Sequence, residues 1–142
     1  MIDTSLLHPM VVHFPIAIIL VGFLVDISSL FITREPCLPK FGLYLEVAGM
    51  LSAIAAYGTG YYLTDQMMGE AGILRENHQL FATLTLVSII LATFFRILLV
   101  YQKKEDSQLK YLALCLFLLA FIFVIITGQL GGKLVYEHMI GL

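Results

Sequence analysis

Four long apolar runs separated by short polar stretches set the pattern of this chain. They cover roughly residues 9–32, 41–63, 80–100 and 109–130, and each is near the roughly 20 residues needed to cross the hydrocarbon core of a bilayer as a helix. The pattern predicts an all-α integral membrane four-helix bundle, built as two transmembrane hairpins and forming a single domain over residues 1–142. Composition agrees: 60% of the residues are hydrophobic and 13% charged, and the mean hydropathy of +0.95 is outside the range of an ordinary soluble domain. No basic stripe is present, so nucleic acid is not an expected partner. No Lys or Arg precedes the first run, which argues against a cleavable signal peptide.

Basic residues give the orientation. Arg34, Lys40, Lys103, Lys104 and Lys110 fall on one side, with Arg96 just inside it, whereas only Arg75 and Lys133 fall on the other. Both termini and the polar stretch 64–77 are therefore expected outside the cytoplasm, which in a bacterial inner membrane is the periplasmic face. His8, His13, His78 and His138 all lie on that face. Cys37 and Cys115 lie on the opposite, reducing side, where thiols stay free. Cys115 reads as a small packing residue, and no Cys-x-x-Cys-His motif for covalent haem attachment occurs.

Three charged residues sit inside the apolar runs: Asp26, Glu46 and Arg96. All lie about 6 to 10 Å in from the cytoplasmic ends of their helices. An unpaired charge at that depth is costly, so a structural ion pair of Arg96 with Asp26, Glu46 or both is expected, with a proton path or quinone site as the alternative. His78 and Arg96 are separated by a whole number of helical turns, so both should face the bundle interior. Small residues at Gly42, Gly49, Ala53, Ala56 and Gly60 form a stripe on the second helix that includes Glu46, and Ala113, Ala120, Thr127 and Gly131 do the same on the fourth. A weak internal repeat matches His13 and the closing Ala56-Tyr57-Gly58-Thr59-Gly60 with His78 and Ile126-Thr127-Gly128. Pro9 suits a first helical turn, with Asp3, Thr4 or Ser5 upstream as a cap, and Pro15 either begins the first helix or bends it.

The segment His8-Pro9-Met10-Val11-Val12-His13-Phe14-Pro15, together with Asp26, Asn77-His78, Arg96 and the stretch Thr127-Gly128-Gln129-Leu130-Gly131-Gly132-Lys133-Leu134-Val135-Tyr136-Glu137-His138, resembles the small bacterial four-helix membrane proteins catalogued as domain of unknown function 2231. The resemblance spans nearly the whole chain and implies a fold and a set of positions. Relatives in which such a segment precedes a c-type cytochrome domain imply an electron-transfer setting by association.

Imidazoles gathered at the rim of a helical bundle are suited to haem iron or another transition metal. The expected function is a small b-type membrane cytochrome passing electrons between membrane quinol and a periplasmic cytochrome or other redox partner. His13 and His78 are the expected axial pair, with His8 and His138 available for a second haem, for propionates or for a separate metal, and Arg75 and Lys133 as cationic neighbours of propionates. Tyr57, Tyr61, Tyr62 and Tyr136 read as an interfacial belt, one phenol of which could bond a propionate or quinone. The alternatives are a non-haem copper or zinc site of three or four imidazoles, and a structural subunit of a larger complex. A homodimer is compatible with the small-residue stripe. No nucleophile, base and orienting group gather at recognisable spacing, so an electron-transfer subunit is favoured over a free-standing enzyme.

Overall fold

The computed structural model describes residues 7–64, 67–104 and 107–139; Asp3, Thr4 and Ser5, considered above as caps, lie outside them. The chain forms α1 (Leu7–Val11), α2 (His13–Phe31), α3 (Cys37–Leu63), α4 (Gly69–Tyr101) and α5 (Leu109–Lys133), and α5 continues into a π-helical segment, Leu134–Met139. Among the described residues four stretches are long and apolar enough to cross a membrane: Leu7–Phe31, Cys37–Leu63, Gly69–Tyr101 and Leu109–His138. The chain is an all-helical, multi-pass membrane protein.

Two boundaries differ from the sequence pattern in ways that matter for the site. The first span is broken at Val12, between α1 and α2. Pro15 lies in the first turn of α2, where it has no N–H to offer the Val11 carbonyl four residues back, so the helical hydrogen bonding is interrupted there. The polar stretch 64–77 is largely helical: α4 starts at Gly69, whose φ of +67° is open to glycine, and Glu70 sits in the first turn where a negative charge favours the helix. His78 therefore lies two turns inside α4 rather than at its start.

The helices pack as two antiparallel hairpins, α2 on α3 and α4 on α5, joined by α3 against α4 and α2 against α5, while α1 lies on α3. Phe23 meets Phe117 edge to face at 5.5 Å and Phe121 at 4.7 Å. Gly49 lets α2 approach closely, since a Cβ there would stand 2.9 Å from Ile19 Cγ1. Large apolar side chains such as Leu24, Phe31, Leu51 and Phe94 are exposed on the outer surface, as a protein solvated by lipid requires. Cys115, expected to pack inside, is exposed on that surface.

The buried faces of the two hairpins follow one register. Pro15, Ile19, Gly22 and Phe23 on α2 are buried, and so are Thr85, Ile89, Ala92 and Thr93 on α4, at a constant spacing of 70 residues. Gly42, Glu46, Gly49 and Ala53 on α3 correspond in the same way to Ala113, Phe117, Ala120 and Val124 on α5, at a spacing of 71. In that register the counterpart of His78 is His8, not His13, and the counterpart of Arg96 is Asp26.

Candidate functional site

At the end of the bundle near α1, the rings of His8 and His78 adjoin edge-on, with centroids 6.1 Å apart and planes inclined at 82°. They come from α1 and α4, elements belonging to different hairpins. Each ring is tied through Nδ1 to a neighbouring helix, His8 to α3 and His78 to α5. His8 Nδ1 lies 3.1 Å from Thr59 Oγ1, and that hydroxyl donates its own hydrogen to the Ala56 carbonyl at 2.9 Å. Thr59 Oγ1 is then an acceptor, and His8 Nδ1 is the donor. His78 Nδ1 lies 3.0 Å from the Thr127 carbonyl, which can only accept. Both rings thus carry their proton on Nδ1 and leave Nε2 with a lone pair, the tautomer that metal-ligating histidines adopt when a neighbour holds the other nitrogen.

Glycine makes room for both rings. A Cβ on Gly60 would come within 2.8 Å of His8 Cε1, and one on Gly131 within 3.0 Å of His78 Cε1. These glycines also sit at the spacing of 71 residues, so each hairpin supplies a histidine and a glycine in the same arrangement. The rings border a cavity of about 610 Å³ with His13, Arg75 and Gln79 on its wall and Ile16, Val124 and Leu134 among its apolar lining. That volume lies within the usual range for small-molecule and cofactor sites.

The remaining candidate residues divide clearly. His13 lines the cavity but is exposed, and the ring that meets His78 is that of His8. His8 reaches His78 from α1, which lies on α3. Arg75 is on the wall, with Nη2 donating to Thr64 Oγ1 at 3.3 Å. Lys133 and His138 are exposed and do not line the cavity, although Leu134, Val135 and Tyr136 between them do. Among the described residues no group of three or more His, Cys, Asp or Glu is placed to hold a metal ion, so the copper or zinc arrangement of three or four imidazoles is not assembled there. Tyr57 bonds Thr83 at 3.2 Å, whereas Tyr61 and Tyr62 are exposed and packed edge to face. Thr59 and Thr127, whose hydroxyl and carbonyl orient the imidazoles, read in the sequence as parts of Thr-Gly helix endings, and Thr127 also as part of the small-residue stripe, with no link to a histidine.

At the other end, Arg96 Nη1 donates to Asp26 Oδ2 and, at 3.0 Å, to Glu46 Oε2, while Nη2 donates to the Pro39 carbonyl at 2.8 Å. Arg96 and His78 share α4 and are about 27 Å apart along it at 1.5 Å per residue.

Four membrane-crossing helices with a paired-histidine cavity at one end and an Asp-Arg-Glu cluster at the other define a small multi-pass bundle protein. The chain belongs to the family described as predicted membrane protein (DUF2231), whose model matches residues 5–142. Comparison with curated proteins and with solved structures gives no match.

Proposed function

We propose that the protein is a small b-type membrane cytochrome of the bacterial inner membrane, with haem held between His8 and His78. The observation that carries this reading is the pair of adjoining imidazoles, each oriented through Nδ1. A metal–nitrogen bond of about 2 Å plus half a ring on each side requires ring centres about 6 Å apart, and the observed separation is 6.1 Å. Arg75 on the cavity wall supplies a cation for propionate groups. Haem b held by two neutral imidazoles supplies one-electron transfer without an open coordination position. The residues of this chain then orient the ligands, surround the ring edge with apolar side chains and hold the carboxylates at the rim. Electrons pass from membrane quinol to a periplasmic partner in this reading, since the basic-residue asymmetry puts the histidine end outside the cytoplasm.

The test is the dithionite-reduced absorption spectrum of the purified protein, expressed with ample haem. Sharp low-spin haem b bands are expected in the wild type, lost in His8→Ala and His78→Ala and retained in His13→Ala. A haem-free wild type would sink the cytochrome reading. Loss in His13→Ala with retention in His8→Ala would keep the cofactor and restore the pair His13 and His78.

A further inference from the structure

We infer that the Asp-Arg-Glu end of the bundle is a proton-binding site, in which Glu46 carries an exchangeable proton beside the hydroxyl of Thr93. This inference is independent of the haem reading. The site is a second cavity, of about 460 Å³, faced by Asp26 from α2, Glu35 from the α2–α3 connection, Glu46 from α3, Arg96 from α4 and Lys110 from α5. Glu35 and Lys110 are at the polar rim and offset each other in charge. Deeper in, one guanidinium serves two carboxylates, through Asp26 Oδ2 and Glu46 Oε2. Counted over the described residues, Asp26, Glu46 and Arg96 hold one negative charge in excess within a membrane-spanning bundle, where an unbalanced charge is expensive. Glu46 is the better seat for the neutralising proton: its side chain is 1% exposed, against 7% for Asp26.

The second oxygens of both carboxylates, Asp26 Oδ1 and Glu46 Oε1, are buried without a hydrogen-bond partner, and so is Thr93 Oγ1. Thr93 lies beside Glu46. Its hydroxyl can accept from a protonated carboxyl and, after rotation, donate to a carboxylate. The proton can thus enter and leave Glu46 through the cavity without stranding either group. No electron or leaving group is involved; the ligand is a proton from the aqueous phase at that end.

The experiment is infrared spectroscopy of the full-length protein in lipid nanodiscs at neutral pH, transferred from H2O to D2O. The wild type is expected to show a protonated carboxylic C=O band that moves down on deuteration and is absent from Glu46→Gln, a neutral isostere that should keep the folded yield. Absence of an exchangeable band in the wild type, or an undiminished band in Glu46→Gln, overturns the site. If Glu46→Gln does not accumulate, Asp26→Asn gives a second readout: Arg96 then balances Glu46 alone and the band is lost. A band that persists in Asp26→Asn overturns the charge balance on which the site rests.

Discussion

The glycine beneath each histidine is the most demanding feature at the scale of single residues. A Cβ at Gly60 or Gly131 would enter the space of an imidazole, and a branched side chain cannot be accommodated without moving the ring. Gly60→Val and Gly131→Val are expected to fold to near-normal yield but to bind much less haem, as read by the absorption ratio of haem to protein. Thr59→Val removes the acceptor of His8 Nδ1–H, a bond contributing about 0.5–1.5 kcal/mol. Nitrogen-15 NMR of labelled histidine in the haem-free protein is expected to show His8 and His78 as Nδ1-protonated tautomers, and Thr59→Val should bring the Nε2-protonated form into the His8 signal alone. An unchanged His8 tautomer in that variant would show that Thr59 does not orient the ring. Neither threonine is conspicuous in the sequence, because its role depends on which imidazole arrives next to it.

Among the elements, the short α1 decides the composition of the site. Its separation from α2 at Val12 follows from Pro15, and it brings His8 onto α3 at Thr59. Pro15→Ala restores the missing backbone donor and favours one continuous helix. The expected result is a stably folded bundle in which His8 leaves Thr59, with weakened haem binding and a His8 tautomer ratio like that of Thr59→Val. An unaltered spectrum and tautomer would assign the break to the packing of α1 on α3 instead. The helical spans were legible as elements because their apolar length has no soluble counterpart. The start of α4 was not, since the segment preceding His78 is polar enough to read as a loop and gains its helicity as an extension beyond the hydrocarbon, seeded by the Met68–Gly69 turn.

Across the whole molecule, the two ends are linked by the same register: His8 and His78 meet at one end, Asp26 and Arg96 at the other, each pair 70 residues apart. Arg96 ties α2, α3 and α4 through Asp26, Glu46 and the Pro39 carbonyl. Removing one partner of a buried ion pair costs on the order of 3–5 kcal/mol, so Arg96→Leu is expected to lower the folded yield and thermal stability sharply. The spectrum of whatever protein does fold should be unchanged, because the histidines are about 27 Å away. A normal yield would remove Arg96 from the structural role. Orientation is tested by reporter fusions: those after Lys40 or Lys104 should be active in the cytoplasm, and periplasmic activity at either point would move the histidine end to the cytoplasmic side.

The sequence by itself determined that the chain crosses a membrane four times, and which polar residues face inward. Apolar length defines a span, and an intramembrane charge such as Asp26, Glu46 or Arg96 has nowhere to go but the bundle interior. Helical spacing likewise carried the inward direction of Arg96 along α4 to His78. The tertiary structure alone decided which histidine His78 meets. Periodicity gives a residue's azimuth on its own helix, but His8 and His78 lie on elements from different hairpins, and which residues meet there depends on how the hairpins pack. The same limit applies to Lys133 and His138, which share the predicted face of the membrane with the site yet do not line its cavity.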